Sequence, residues 1–388
     1  MHPALRFKYT AQLCATCAEA AIPETWDLVP IVICLLAMAA TRERRRCRAR
    51  LERLSGSSLD RDSVRLEAIA ELQRVIGFDR WCWPLADPDT LVASSGLAAH
   101  ELGPKIARFL ELEYSEDAFA AKPLLARRAN PAGSLRVETG GDLARSTRWD
   151  EVMRPAGIGD IAVVACRDAL GCWGWVEAYR DRADRSFDED ELALLASVGS
   201  GLGSALRRTI MQASNGSPPP GPPGVIVLDR QLGLVSWSAS AHAWLDVLPG
   251  AKIAAAVGML PTAVYPVATL ARCLPDAGSH ALLWTVDGRW ATVEAAVLEG
   301  RGGGEITVTL RSAAAKETLG LLCRTYALTP RERELVAALI TGLDTRGLAE
   351  RLSISRHTVQ DHFKAIFGKV GVHSRRALLT KLGMSVGS

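Results

Sequence analysis

The side chains best suited to do chemistry lie between Arg356 and Lys369. Laid out as a helix at about 100° per residue, His357, Gln360, Asp361, Lys364 and Gly368 share one arc, and Val359, Phe363, Ile366, Phe367 and Val370 occupy the opposite side. The polar arc offers base-reading chemistry: Gln360 can pair bidentately with adenine, Asp361 can accept from a cytosine amino group, and Lys364 can donate to guanine. Arg351, Arg356, Thr358 and Lys369 stand where they would meet phosphates, which fix register without reading sequence. His362 projects near the edge of the apolar side, where packing or a phosphate contact suits it, and His373 has no evident role.

The surrounding residues specify the helices that would hold this face. Thr329 and Pro330 give a cap and a preset first turn, and Glu332 stands three residues after Thr329 in capping-box position. Leu335, Val336, Leu339 and Ile340 form that helix's apolar face, and Gly342 ends it. Thr345 to Leu352 reads as a second, short helix, and Ser353-Ile354-Ser355 as a tight turn. Ser355 caps the third helix, Gly371 ends it, and Ser374 caps a fourth over Arg375 to Leu382. A short helix, a tight turn and a two-faced helix fit helix-turn-helix geometry, in which the second helix enters the major groove.

Four separated blocks carry a family resemblance: Leu328-Thr329-Pro330-Arg331-Glu332-Arg333-Glu334, Leu348-Ala349-Glu350-Arg351-Leu352, Ser355-Arg356-His357-Thr358-Val359-Gln360-Asp361-His362, and Lys369-Val370-Gly371-Val372-His373-Ser374-Arg375. In this order and spacing, over about 55 residues, they resemble the LuxR-type DNA-binding domain of bacterial regulators. The resemblance implies a four-helix domain that binds double-stranded DNA as a homodimer, with the fourth helix often at the dimer contact. By position, Thr358, Val359, Gln360, Asp361 and Lys364 match the family's DNA-facing stretch, and Glu334 matches a usually structural acidic residue. The chain departs from the family at Gln360, where many members carry a basic residue. Asp361 is acidic where a polyanion would approach, which leaves it base reading or pairing with Lys364.

Charge distribution agrees with an anion-binding end. Residues 313–388 carry 12 Lys and Arg against 6 Asp and Glu, whereas the whole chain of 388 residues is only +3. That length implies two to four domains, and 48% apolar with 23% charged residues excludes general disorder and a fibre. Nine Cys scattered through so long a chain indicate a reducing compartment. The Cys14–Cys17 pair has no partner pair at zinc-site spacing. Leu28 to Ala40 is a run of 13 residues, too short for a membrane span of about 20, and its basic residues follow it where a signal peptide would have them first. Met38 opens a polar helical stretch and is expected to be the native start. The cluster Arg42, Arg44, Arg45, Arg46, Arg48 and Arg50 reads as a solvated helix face, with auxiliary phosphate contact as the alternative.

The segment 214–224, rich in Pro and Gly, divides the rest of the chain as a linker. Before it come a helix over Ser63 to Ile76, strands over Trp81–Leu85, Ile161–Arg167 and Cys172–Tyr179, and a helix capped by Ser186. The stripe Leu192, Leu195, Leu202 and Leu206 on that helix suits core packing or a two-helix dimer seam. Residues 63–208 resemble a GAF-type sensor domain, through Gly77-Phe78-Asp79 before a strand, the strand pair joined through Gly171, and Phe187-Asp188 before the closing helix. After the linker, strands over Gly224–Asp229, Leu234–Trp237, Ala281–Val286, Trp290–Leu298 and Glu305–Leu310, with a hairpin at Asp287-Gly288, resemble a PAS-type domain. Both families imply an antiparallel sheet with helices and a pocket or partner surface. No internal repeat is apparent in the sequence.

Strand alternation pairs Trp81 with Trp83, and Trp173 with Trp175, each pair on one face. Those four could wall a pocket for a mostly apolar ligand or simply fill the core. Cys82, Cys166 and Cys172 could bind metal or sense redox state, or be inert. Gly-x-Ser-x-Gly, HExxH and the Walker phosphate loop do not occur, and no arrangement of a phosphate-accepting receiver domain is found.

The expected organisation is multidomain. Residues 1–54 form a helical extension, 55–213 an α+β GAF-like domain, 214–223 the linker, 224–313 an α+β PAS-like domain, and 314–388 an all-α four-helix DNA-binding domain. The expected function is a cytoplasmic transcription regulator, with no catalytic group, cofactor, metal or membrane contact. Its sensor part would take a small-molecule ligand, or serve as a ligand-free dimerisation or interaction module.

Overall fold

The computed structural model describes residues 28–78, 80–99, 103–114, 118–212, 221–274, 279–299 and 303–381. The Cys14–Cys17 pair and residues 214–220 of the linker lie outside the described residues. Among the described residues no helix is long and apolar enough to cross a membrane.

The first α+β unit opens with helices α1 (Leu28–Leu54) and α2 (Arg61–Ile76). The Asp60 carboxylate caps α2 by accepting from the Asp62 and Ser63 amides. Strands β1 (Arg80–Ala86), β2 (Ala93–Ala98), β3 (Ala132–Ser134), β4 (Ile158–Asp168) and β5 (Gly171–Asp181) follow, with helix α3 (Ile106–Glu113) between β2 and β3. They form one antiparallel sheet in the order β2-β1-β5-β4-β3. Helix α4 (Glu189–Gln212) closes the unit.

The cap of α4 is Asp188, not the expected Ser186: Asp188 Oδ1 accepts from the Glu191 amide, and Glu191 Oε2 accepts from the Asp188 amide. Glu191 is also clamped bidentately by the buried Arg180 of β5, at 2.9 Å for each bond. Leu192, Leu195, Leu202 and Leu206 are all buried against the sheet with Trp83 and Trp173. They are core residues, so the dimer-seam reading of this stripe fails. Gly199 and Gly203 let α4 lie on β4. A Cβ at Gly203 would stand 2.7–2.8 Å from backbone atoms of Cys166 and Arg167, and one at Gly199 would stand 2.8 Å from the Ala165 carbonyl.

The second unit holds β6 (Gly224–Leu228), β7 (Leu234–Trp237), β8 (Ser279–Trp284), β9 (Trp290–Val297) and β10 (Ile306–Ser312), with α5 (Val264–Cys273) against the sheet. This sheet is also antiparallel, in the order β7-β6-β10-β9-β8. Counted within each unit, both sheets run 2-1-5-4-3, a topological repeat without a visible sequence repeat.

The two units are not independent. One continuous hydrophobic cluster joins Phe109, Leu110 and Trp175 of the first to Val264, Val267 and Leu283 of the second. Asp87 Oδ2 accepts from the Leu282 amide at 2.8 Å, and Arg272 pairs with Glu111 at 3.2 Å.

The last unit holds α6 (Ala315–Thr325), α7 (Pro330–Ile340), α8 (Thr345–Leu352), α9 (Arg356–Val370) and α10 (Arg375–Lys381). Its core gathers Tyr326, Leu335, Val336, Leu348, Phe363, Ile366 and Leu378.

Candidate functional site

Capping sets the geometry of α7 to α10. Thr329 and Glu332 form the expected capping box at the start of α7. Asp344 caps α8, and Ser353 takes the left-handed conformation that turns the chain out of it. Ser355 caps α9 through the Thr358 amide at 3.0 Å, Gly371 ends it with φ of 72°, and Ser374 caps α10.

This places the sequence-derived DNA residues in two groups. Arg356, His357, Gln360, Asp361 and Lys364 are exposed together on the outer side of α9. Gln360 and Lys364 make no hydrogen bond among the described residues, so their donors and acceptors stand ready for an outside partner. Asp361 pairs with His357 across one turn, Nε2 to Oδ2 3.6 Å, and not with Lys364 as one expectation had it. Thr358 is half-buried, with its hydroxyl 2.8 Å from that of Ser355.

Three sequence expectations fail here. Val359 is 0% exposed and belongs to the core, so it supports the face from beneath and does not touch a partner. Lys369 is held within the domain: its Nζ lies 2.6 Å from Glu332 Oε2 and 3.3 Å from the Ala327 carbonyl, which removes it from the phosphate set. The structural acid is Glu332, which is buried, whereas Glu334 is exposed and pairs with Arg331 at 2.6 Å. Burial pushes the Glu332 carboxyl up, but the Lys369 ammonium and the Thr329 amide outweigh it and hold it below the usual range.

Residues 326–382 match the bacterial regulatory proteins of the luxR family. They form a LuxR-type helix-turn-helix domain. Over 60 residues the chain is 47% identical to the probable transcriptional regulatory protein SgaR of Hyphomicrobium methylovorum, covering 16% of this chain and 28% of that one. Over 58 residues it is 43% identical to the probable HTH-type transcriptional regulator GfsR of Streptomyces halstedii, covering 15% and 24%. Over 51 residues it is 43% identical to a putative HTH-type regulator of Aeromonas salmonicida, covering 13% and 26%. The chain thus spans about a quarter of the length of these relatives. The crystal structure of the E. coli DhaR(N)–DhaL complex aligns over 78% of this chain and 99% of its own, but at 11% identity and a TM-score of 0.21, too low to carry an argument.

The last unit, α6 with the LuxR-type domain, is fastened to the first unit. Arg207 near the end of α4 donates to the Thr325 carbonyl at 2.8 Å while its Nε holds Asp168 at 2.7 Å. Arg324 pairs with Asp89 at 2.5 Å, and Lys381 of α10 donates to the Met211 carbonyl at 3.2 Å.

The four tryptophans do not line the inter-unit cavity, and they fill the core as one of the two readings had it. Trp81, Trp83 and Trp173 pack on the α4 side of the first sheet, and Trp175 lies on the other side. A bulge between Cys166 and Arg167 breaks the alternation, which separates Trp173 from Trp175. A cavity of about 660 Å³ lies instead between the two α+β units, lined from the first by Cys82, Pro84, Gly96, Lys122, Glu177 and Tyr179 among others. Alternation along β1 could have flagged Cys82 and Pro84, since they face away from Trp81 and Trp83. No sequence signal marks Lys122.

Burial pushes the thiols of Cys82 and Cys166 well up, and that of Cys172 to about 12. All three are neutral thiols, unsuited to metal binding or fast oxidation. Among the described residues no group of three or more His, Cys, Asp or Glu could hold a metal ion.

Proposed function

We propose that the chain is a sequence-specific DNA-binding transcription regulator in which the two α+β units modulate the LuxR-type domain. The observation that carries this reading is the exposed face of α9, where Gln360, Asp361 and Lys364 project from a helix whose inner side is locked in the core. Base contact from such a helix in the major groove gives specificity, and Arg356 supplies phosphate attraction. We assign the first unit to a GAF-like and the second to a PAS-like sensor domain; the antiparallel sheet with packed helices in each supports that assignment. The active species is a homodimer on double-stranded DNA, in the cytoplasm, without catalysis. The ties from Arg207, Arg324 and Lys381 give the sensor part a physical grip on the DNA-binding part, so a ligand that prefers one arrangement of the units changes DNA affinity.

A second reading, that the α+β part serves dimerisation or partner capture, draws on the edge strand β7, where Leu234, Val235 and Trp237 are all exposed. The experiment is a comparison of DNA affinity, with a salt titration, between the full chain and residues 313–388 on the region upstream of the protein's own gene. Specific binding by the fragment alone makes the α+β part inhibitory. Equal or better binding by the full chain favours the dimerisation reading. Absence of specific binding by either defeats the proposal.

A further inference from the structure

The cavity between the α+β units has a built polar end. Lys122 Nζ lies 2.5 Å from Glu113 Oε2 and 2.5 Å from Glu177 Oε1, and the Tyr179 hydroxyl donates to Glu177 Oε2. Arg148 completes the group, 3.3 Å from Glu113. Lys122, Glu113, Glu177, Tyr179 and Arg148 are all buried. Burial opposes the charges, but the mutual pairing wins: Lys122 is held above and Glu113 below the ordinary range. The group therefore contains two cations and two anions and is balanced.

The other charges of the lining are balanced too, with Arg61 and Arg65 against Asp60 and Asp62. A charged ligand would bring a charge that neither set compensates, and its desolvation would go unrepaid. An ammonium has three N–H donors; Lys122 Nζ hydrogen-bonds Glu177 Oε1 and ion-pairs with Glu113 Oε2, so these two carboxylates engage at most two of them. The remaining one can serve a ligand acceptor. The other walls are largely apolar: Leu97, Phe109 and Leu110 face Met259, Leu260 and Trp284 of the second unit.

We propose that this inter-unit cavity binds an uncharged, mostly apolar small molecule carrying a hydrogen-bond acceptor, which Lys122 engages. Its volume of about 660 Å³ falls in the range of ligand sites. The ligand touches both units at once, so its binding holds one arrangement of the pair. This deepens, and as regulation rests on, the reading of the α+β part as a sensor.

Gly96 supplies the test. A Cβ there meets only Thr262 Oγ1 at 3.7 Å, across the cavity, and Cys82 Sγ at 3.9 Å, ordinary contacts. Alanine therefore fits, and leucine adds bulk to the cavity lining. The full chain is titrated with Nile red, an uncharged aromatic probe with a carbonyl, and with the anionic anilinonaphthalenesulfonate. The expected result is saturable, blue-shifted Nile red binding at one per chain, with the anionic dye weaker by about tenfold or more. Gly96→Leu should weaken Nile red by a similar factor while Gly96→Ala does not, with unchanged circular dichroism and unfolding midpoint showing that both variants fold. Unsaturable binding, equal binding of the anion, or a folded Gly96→Leu variant that binds as well as wild type overturns the site. Affinity for the upstream DNA, measured with and without saturating Nile red, decides the regulatory reading separately: dye bound at the cavity with DNA affinity unmoved defeats regulation and keeps the site.

Discussion

Replacing Lys369 with Met separates a structural lysine from a phosphate contact. Its ammonium is one of two donors to the Glu332 carboxylate, the other being the Thr329 amide, each at 2.6 Å. A hydrogen bond to a charged group contributes about 1.5–3 kcal/mol, and the carboxylate left behind stays buried. The Lys369 side chain is 35% exposed, so solvent screens part of that, and about 1–2 kcal/mol is the reasonable loss. The loss corresponds to roughly 5–30-fold more opening of α7 and α9. Native-state hydrogen exchange of the full chain, read by mass spectrometry on α9 peptides, measures it directly. Salt titration of DNA binding supplies the other half. A phosphate contact adds about 0.9 to the slope of log affinity against log salt, and Lys369→Met should leave that slope unchanged. Unaltered exchange together with a slope reduced by about 1 would refute the internal role and restore Lys369 to the DNA interface.

Four further outcomes are expected. Lys364→Ala should cost about 1–3 kcal/mol of operator affinity with relaxed preference at one base position, and an equal loss on all sequences would mark a phosphate contact instead. Trp83→Ala should destabilise by about 3–5 kcal/mol in urea unfolding while the folded variant still binds Nile red, and loss of dye binding at full stability would return Trp83 to the cavity wall. Gly203→Val should cost about 1–3 kcal/mol or more, because its side chain meets the backbone of β4, and a neutral effect would show that α4 can lift off the sheet. Glu317 is held down to about 2 by its hydrogen bonds from Arg311 and by the Ala314 amide, against a rise from burial. A depressed carboxylate contributes stability that is complete above its ordinary range near 4.5 and is lost as pH falls towards 2. Glu317→Gln should therefore flatten thermal stability between those limits, and an unaltered acid slope contradicts the assignment.

The LuxR-type domain was legible because its signals are local. Thr329, Ser355, Gly371 and Ser374 each act on amides or backbone angles within a few residues, so sequence spacing alone places them. Lys369 was misjudged because its pairing with Glu332 spans 37 residues and depends on how α7 packs on α9. Trp173 and Trp175 were placed on one face wrongly for a local reason with a long reach: one bulge opposite Cys166 and Arg167 reverses the alternation that assigned Trp173 its face, whereas Trp81 and Trp83 do share theirs. The cavity was invisible because it belongs to neither α+β unit alone. Gly96 and Thr262 meet across it from 166 positions apart, and nothing near either residue announces the other.

Helix α4 behaves mechanically as a lever. It is gripped at its start by Arg180 on Glu191, and its last turns carry Thr209 and Ile210 on the cavity and Met211 under the Lys381 contact. Leu192 to Leu206 are packed against the sheet, so the free arm of that lever is the run from Leu206 to Gln212, about 9 Å at 1.5 Å per residue. Thr209 and Ile210 lie on this short arm, so whatever occupies the cavity bears directly on the segment that carries the Lys381 hydrogen bond and not on the helix as a whole.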